Sequence, residues 1–358
     1  MIHGTLRRTS AGTFVGRTPR AALLALLAFA TFPSHVLAAA DGNYHLIKKM
    51  VLGGEGFWDY LICDSAARRV YISRGTHVMV IDADSYAVVG DIPGTDGVHG
   101  IALAPEIGRG FASDGRSNTV TIFDLKTLKV LGTAPTGNGP DCIIYDPASK
   151  RVFTFNGHGG DASAIDAASG APAGTVTLEG KPEFAVADGR GHIYNNLEDK
   201  SELVQIDSQK LVVTARWPLT PCEGPSGLAQ DAASHRLFVG CHNQMMAIVD
   251  ADSGKVLATP AIGQGVDANG FDPGTQLAFS SNGDGTLTVV HEDSPDKFTP
   301  VASISTQRGA RTMALDLKAH RVFLVTAEFG PPPAPTQDHP HPRPTVIPGT
   351  FTLLVFGP

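Results

Sequence analysis

The feature that most limits the fold of this chain is a pattern that returns about every 42 residues along its 358 residues. In each copy, a turn is followed by a short strand that carries an aromatic residue. Consecutive aromatic residues are spaced by 40, 42, 41, 44, 41 and 44 positions. The series is Tyr71, Phe111, Phe153, Tyr194, Phe238, Phe279 and Phe323. A repeat of this length indicates one supersecondary unit used seven times, each unit burying its apolar surface against its neighbours.

A second series keeps step with the first. Apolar strands end in an acid, replaced by His in the sixth copy, at intervals of 42, 42, 41, 43 and 41 residues. The residues are Asp82, Asp124, Asp166, Asp207, Asp250 and His291. Side chains of this type hydrogen-bond the backbone of tight turns. We therefore interpret the acids as turn residues, too far apart to form a shared carboxylate site.

Residues 119–155 show the pattern in detail. Three turn signals, one of them a Gly-rich loop at Pro135–Pro140, separate four apolar runs: Val120–Phe123, Lys129–Thr133, Cys142–Tyr145 and Arg151–Phe155. We predict that this stretch forms one antiparallel four-stranded sheet. A sheet of this size cannot bury both faces alone. Seven copies in an all-β chain therefore predict a seven-bladed β-propeller of four-stranded antiparallel blades.

The two ends of the chain predict how the ring closes. The seventh copy lacks one strand after the run Phe351–Phe356. The segment Asn43–Gly56 resembles an outer strand with its Gly-rich loop. Pairing this N-terminal strand into the last blade would leave no unpaired edge between first and last blades. Residues 41–358 are therefore predicted to be a single domain, with a Pro- and His-rich insertion at 330–349.

Residues 1–40 are predicted to be a secretory signal peptide with cleavage near Ala38–Ala40. Four arginines precede the apolar run Ala21–Phe32, which is too short to span a bilayer, and no acidic residue occurs before Asp41. We therefore expect a periplasmic or secreted protein with no membrane span after cleavage. The pair Arg7-Arg8 leaves the export route open.

Charge narrows the range of partners. Removal of a segment with four arginines and no acid changes the formal net charge from −7 to −11. An acidic surface repels nucleic-acid phosphates and anionic lipids. We expect a monomer whose partner is a protein segment, a glycan or a small molecule rather than nucleic acid.

Several strands also resemble those of the YVTN-repeat (YncE-like) β-propeller family. The segments in the namesake position are Tyr71-Ile72-Ser73-Arg74, Phe153-Thr154-Phe155-Asn156 and Phe279-Ser280-Ser281-Asn282, and the strand that follows appears as Val78–Asp82 and Val120–Asp124. The resemblance covers about residues 44–356. It implies a propeller fold, export and a binding function, because this family has no shared catalytic motif. The dipeptide Trp58-Asp59 is not at a WD40 position, which argues against a WD40 repeat.

In a propeller, the loops between blades and those between second and third strands lie at one end, which we call the loop face. The other end, the turn face, carries the regular turns. Loops that vary between copies are typical of a binding surface. Candidate ligand-binding residues at the starts of the innermost strands are Asp59, His99, Asp141, Glu183, Asp267, Asn269 and Arg311. Those in the remaining loops are Arg74, Asn156, His158, Asn196, His242 and Asn282.

Two functional hypotheses follow. The first is a binding propeller that takes its ligand at the loop face, around the central channel. The alternative is a lactonase-like hydrolase or a lyase whose acidic ring acts as general base or binds a hard cation such as Ca²⁺. No catalytic residue is assigned, because GxSxG, HExxH, CxxCH and phosphate-loop motifs are missing from the sequence. The sequence predicts neither a cofactor nor a metal site.

Cysteine and histidine positions add two expectations. Cys222 and Cys241 fall at the same end of one predicted hairpin, so we predict a disulfide between them. Cys63 and Cys142 lie on innermost strands of different blades and are expected to be free thiols. His339 and His341 alternate with proline in the insertion, which we expect to be an extended surface segment rather than a metal site.

Overall fold

The computed structural model describes residues 1, 12, 43–54, 56–333 and 344–358. These residues form 27 β-strands and two short 3₁₀ helices, Pro105–Ile107 and Glu198–Lys200. Within this part of the chain, no helix is long and apolar enough to cross a membrane. The predicted signal peptide, except residues 1 and 12, lies outside the described residues, as do His339 and His341.

The strands form antiparallel sheets in chain order. The first sheet has seven strands: β2 (Leu61–Asp64), β3 (Arg69–Ser73), β4 (Gly75–Asp82), β5 (Val88–Ala104), β6 (Arg109–Asp114), β7 (Thr119–Asp124) and β8 (Val130–Pro135). Its long strand β5 serves two four-stranded sets, because the part from Val88 to Pro93 pairs with β4, the part from Ile101 to Ala104 pairs with β6, and Val98 pairs with both.

Four-stranded sheets follow. The next contains β9 (Pro140–Asp146), β10 (Arg151–Asn156), β11 (Asp161–Asp166) and β12 (Pro172–Thr177). The one after it contains β13 (Pro182–Ala187), β14 (His192–Leu197), β15 (Glu202–Asp207) and β16 (Val212–Pro218). Then come β17 (Pro225–Asp231), β18 (Arg236–Cys241), β19 (Met245–Asp250) and β20 (Val256–Ala258). The fourth contains β21 (Val266–Asp272), β22 (Leu277–Asn282), β23 (Thr286–Ser294) and β24 (Lys297–Ser305).

The last sheet joins the two ends of the chain. Its strands are β25 (Thr312–Asp316), β26 (Arg321–Thr326), β27 (Thr352–Gly357) and β1 (His45–Val51). Strand β1 pairs antiparallel with β27, with His45 opposite Gly357 and Val51 opposite Thr352. The N-terminal segment is therefore the outer strand of a sheet whose other strands come from the C-terminus.

The interpretation of residues 119–155 as one sheet is wrong. Strands β7 and β8 belong to the first sheet, whereas β9 and β10 belong to the next. The Gly-rich loop between β8 and β9 leads from the outer edge of one sheet to the first strand of the next. Its length and composition resemble those of a hairpin loop, so the sequence pattern alone does not separate the two connections.

The core lies between consecutive sheets. The recurrent aromatic residues all sit on the second strand of their set and are at most 3% exposed. Among the described residues, each apolar cluster joins two neighbouring sets, as when Tyr71 and Val80 pack with Ala112 and Phe123. One cluster joins the last sheet to the first sheet, where Phe323 and Val355 pack against Val70, Ile72 and Ile81 of β3 and β4. Sheet-to-sheet burial therefore supplies most of the apolar stabilisation.

The recurrent acids are turn residues, as predicted. The Asp82 carboxylate accepts hydrogen bonds from the backbone N–H groups of Asp84 and Ser85. Asp124 accepts the equivalent bonds from Lys126 and Thr127, and this bonding lowers the pKa of its carboxyl. The turn face is thus built from locally satisfied carboxylates.

Candidate functional site

One ionisable or polar side chain stands near the start of the first strand in each of the seven sets. The residues are Asp59, His99, Asp141, Glu183, Ser226, Asp267 and Arg311. First strands of successive sets contact one another, and β2 also contacts β25. Side chains 40 or more residues apart in sequence are thereby brought together at the loop face.

Asp59, His99 and Asp141 form the tightest group. His99 Nδ1 lies 2.6 Å from Asp59 Oδ2 and 3.6 Å from Asp141 Oδ1. The three side chains are between 20% and 31% exposed, so a ligand can still reach them. Burial acts to lower the pKa of His99, but the hydrogen bond to Asp59 and the charge of Asp141 outweigh it, and the pKa is raised. The imidazolium is therefore stabilised between two carboxylates.

A second group continues from Asp141. The Lys181 ammonium lies 2.8 Å from Glu183 and also contacts Glu198. His242 Nδ1 is 3.5 Å from the other oxygen of Glu198. Burial raises the pKa of Glu183, the charge of Asp141 adds to the effect, and Lys181 opposes it. One lysine thus faces two carboxylates here.

Asp141 lies between the two groups, and charges of both groups act on its carboxyl. Burial raises the pKa of its carboxyl, and the charge of Asp59 raises it further. The positive charges of His99, Lys181 and His158 act in the opposite direction. The net rise shows that the nearby cations do not fully offset the combined effect of burial and of the Asp59 charge.

Aromatic side chains lie next to the charged residues of the site. The ring of Tyr60, next to Asp59, stacks on the ring of Phe184, next to Glu183, with centroids 4.6 Å apart. Phe57 lies beside His99, with ring centroids 6.3 Å apart. It also lines a pocket of about 320 Å³ with Trp58, Ile347 and Phe351. These apolar walls reduce the hydration of the neighbouring charges.

Asp267 and Arg311 form a separate pair. Arg311 Nε lies 3.5 Å from Asp267 Oδ2. The guanidinium side chain is 45% exposed and the carboxylate 18%. The charges in this part of the loop face are balanced, in contrast to the Asp59–Asp141 part.

Four of the predicted ligand-binding residues are buried asparagines that bond within the scaffold, so the expectation that they touch a ligand is corrected. They are Asn156, Asn196, Asn269 and Asn282. Arg74 is also buried, stacks 3.5 Å from the Phe351 ring centroid and lines the pocket that contains Phe57 and Trp58. The amides bond to neighbouring strands, as when Asn196 Nδ2 donates to the Ser226 carbonyl oxygen at 2.8 Å. Asn156 and Asn282 bond side chains of their own sheets, and Asn269 bonds the Phe238 carbonyl oxygen.

Polar residues on second strands hold the site backbone in place, a role that the sequence analysis missed. Ser113 Oγ donates to the Asp141 carbonyl oxygen at 2.5 Å, and Asn195 Nδ2 donates to that of Glu183 at 2.9 Å. Ser73 Oγ accepts the Asp59 N–H at 3.0 Å. The available signal was the recurrence of Ser or Asn within three residues after five of the seven repeated aromatic residues.

The remaining predicted residues are placed as follows. His158 and His242 are exposed, and both lie near the acidic part of the loop face. Cys222 and Cys241 are joined by a disulfide with a Cα–Cα distance of 5.5 Å, next to His242. Cys63 and Cys142 are free thiols. Lys181, Glu198 and Tyr60 were not predicted, because nothing in their local sequence marks them.

A buried acid of the scaffold provides a pH test. Asp114 is 1% exposed, accepts hydrogen bonds from Thr121 and Thr119, and has its pKa raised to about 7, mainly by burial. The unfolded chain loses this proton near pH 4 and the folded chain near 7, so stability falls as pH rises through that window. In the unmodified protein we expect the free energy of unfolding to fall by on the order of 2 kcal/mol between pH 4.5 and 7.5, and we expect Asp114→Asn to abolish this fall. Urea unfolding at the two pH values measures it.

The turn acid Asp124 serves as the control of opposite sign. Because the pKa of Asp124 is lowered in the folded protein, its ionised carboxylate stabilises the folded state at pH values above the pKa of the unfolded chain. Asp124→Asn should therefore lower the free energy of unfolding at pH 7.5, and should change it little once the pH lies below the folded-state pKa. Equal pH slopes for Asp114→Asn and the unmodified protein would contradict the assignment of Asp114.

No model of a protein family matches this chain, and no curated protein matches it in sequence. Solved structures do resemble it. A chain of a Mitotic Checkpoint Complex structure is 14% identical with a TM-score of 0.71, over 93% of this chain and 98% of that one. U3-55K is 9% identical with a TM-score of 0.69, over 87% and 98%. A chain of Kuenenia stuttgartiensis hydrazine synthase is 13% identical with a TM-score of 0.65, over 74% and 91%.

At these identities the similarity shows the fold alone. The first two structures are propellers of the WD40 type, and the likeness assigns this chain to the β-propeller class. The resemblance to YVTN repeats remains a prediction.

Proposed function

We propose that this protein is an exported, seven-bladed propeller of the YncE-like type that binds a positively charged ligand at its loop face. The ligand class that fits best is a basic segment of another protein. The observation that carries the proposal is the convergence of Asp59, Asp141 and Glu183 beside one another at that face.

Three features support a closed ring of seven blades. Counting β5 twice, the strands divide into seven sets of four. Strand β1 completes the last set by pairing with β27. Apolar side chains of the last set pack against those of the first. Closure of this kind protects the edge between first and last blades.

Charge explains why a cation fits. Asp59, Asp141, Glu183 and Glu198 face one lysine, Lys181, and the imidazoles of His99 and His242. Burial raises the pKa values of Asp141 and Glu183, and repulsion raises them further, from Asp59 in the case of Asp141 and from Asp141 in the case of Glu183. A ligand ammonium or guanidinium would relieve that repulsion in a partly desolvated place, where opposite charges attract more strongly than in water.

Export is proposed from the sequence of residues 1–40. The disulfide between Cys222 and Cys241 fits an oxidising compartment such as the periplasm or the extracellular space.

The proposal predicts charge-selective binding at one place. A labelled ten-lysine peptide should bind, and a ten-glutamate peptide should not. Asp141→Asn with Glu183→Gln should weaken binding at least about tenfold, because two site charges are lost. Fluorescence anisotropy at low salt measures the affinity.

The matched control removes two exposed acids elsewhere, Asp91 and Asp296, which are 57% and 85% exposed. Asp91→Asn with Asp296→Asn changes net charge equally and should alter affinity less than threefold. If both double variants weaken the peptide equally, attraction to overall charge explains the binding and the proposed site is wrong.

The alternative function is a lactonase-like hydrolase or lyase. The raised pKa of Glu183 favours it, because a carboxyl of this kind can donate or accept a proton near neutral pH. Within the described residues, however, the Glu183 carboxylate pairs with the ammonium of Lys181 rather than with a nucleophile, so we place this function second.

A further inference from the structure

The three groups closest together in the site are two carboxylates and one imidazole. The donor atoms offered by Asp59, His99 and Asp141 all lie within 4.8 Å of one another. Two donors bound to one metal ion at about 2.1 Å are roughly 3 to 4 Å apart. The 3.6 Å separation between His99 Nδ1 and Asp141 Oδ1 lies within this range, whereas the 2.6 Å hydrogen bond between His99 Nδ1 and Asp59 Oδ2 would lengthen when its proton is replaced by an ion.

The hydrogen bonds of these three side chains leave one carboxylate oxygen without a donor. An imidazole Nδ1 carries at most one hydrogen, and the short contact assigns it to Asp59. Asp141 Oδ1 is shut off from solvent and accepts no hydrogen bond from the described residues, although it faces the same nitrogen. A buried carboxylate oxygen without a donor costs free energy. A single proton therefore does not satisfy two carboxylates, whereas a divalent ion would.

We propose that Asp59 Oδ2, His99 Nδ1 and Asp141 Oδ1 bind a divalent first-row transition metal ion, with Zn²⁺ the best fit. The inference rests on the proposed function, because it names the cation that this part of the loop face takes most tightly. Imidazole nitrogen favours Zn²⁺ over Ca²⁺, which prefers oxygen ligands alone. On binding, the ion replaces the Nδ1 proton, which leaves to solvent.

The surroundings hold the three donors in position. The backbone at Asp59 is bonded to Ser73 and that at Asp141 to Ser113. His99 packs against Gly115, where a Cβ atom would come within 2.8 Å of the imidazole. Donors fixed by strands and packing need little reorganisation to bind an ion.

Calorimetric titration of the chelator-treated protein with Zn²⁺ alone tests the proposal. His339→Gln and His341→Gln are introduced first, so that the Pro-rich insertion contributes no imidazole. We expect one saturable Zn²⁺ site and at least about tenfold weaker binding of Ca²⁺. His99→Gln should weaken Zn²⁺ at least about tenfold, since even outer-shell changes cost that much. Asp141→Asn is the second variant, in case His99→Gln does not fold.

His192→Gln is the matched control, because His192 is an exposed imidazole that lies 2.8 Å from the Asp188 carboxylate, at the turn face and outside the candidate site. It should leave Zn²⁺ affinity unchanged. Equal Zn²⁺ binding by the His339→Gln/His341→Gln protein with and without His99→Gln would overturn the metal site. Lysine-peptide binding without a saturable Zn²⁺ site would overturn this inference and leave the proposed function standing. A protein that binds neither the lysine peptide nor Zn²⁺ would contradict both the proposed function and the metal site.

Discussion

Deletion of residues 43–51 is expected to lower the free energy of unfolding by on the order of 5 kcal/mol, or to prevent folding altogether. The deleted segment contains the whole of β1, whose backbone pairs with β27 from His45 to Val51. It also contains Tyr44, which is 5% exposed and packs edge-on against Phe279 at 5.0 Å. The deletion would therefore expose the edge of β27 and open part of the core. Thermal unfolding followed by circular dichroism measures the effect.

Transplantation of the strand provides the control. Because His45 lies opposite Gly357, the start of β1 is next to the end of β27. Residues 43–51 placed after Pro358 through a two-residue Asn-Gly turn should therefore form the same pair as a hairpin. We expect this rearranged chain to regain most of the lost stability. A deletion with unchanged melting temperature, or a transplant that restores nothing, would show that β1 does not hold the last sheet together.

Removal of the Cys222–Cys241 disulfide is expected to cost about 3 kcal/mol. The bridge joins residues 19 positions apart, and a closed loop of this length restricts the unfolded chain by about that amount. Both cysteines are at most 2% exposed and pack in the cluster that contains Leu219 and Leu237. We expect Cys222→Ala with Cys241→Ala to shift the urea midpoint downward by an amount equivalent to this loss.

The free thiols supply the control for that measurement. Cys63 is a partly exposed thiol outside the bridge. Cys63→Ala should therefore lower the free energy of unfolding much less than the double substitution does. Reduction of the unmodified protein should reproduce the loss seen in the double variant and should not destabilise that variant further. Equal stability of the oxidised and reduced forms would contradict the assigned contribution of the bridge.

Much of the fold was predictable because each blade repeats one local pattern. The aromatic series from Tyr71 to Phe323 marks second strands, since a large apolar side chain at that position packs between neighbouring sheets. The acids at Asp82 and Asp124 marked turns, because their hydrogen bonds are made within three residues. The assignment of residues 119–155 to one sheet was wrong, because a loop between sheets has the same local chemistry as a hairpin.

The site was less predictable. Asn156, Asn196 and Asn282 end strands at the loop face just as binding residues would, yet their amides bond other strands. A polar residue at a strand end looks the same in sequence whether it faces solvent or a neighbouring strand. Lys181 and Glu198 carry no local signal at all, and only their contact with Glu183 or with each other reveals them.

The all-β class, the strand repeat and the first-strand positions of Asp59, His99, Asp141 and Glu183 could be predicted from the sequence alone. Those properties depend on periodicity and turn chemistry, which are local. Tertiary structure alone decided that Asp59 and Asp141 lie on either side of His99, and that this part of the loop face holds more carboxylates than cations. Distances between side chains 40 or more residues apart depend on how the sheets pack, and that packing is a property of the whole chain.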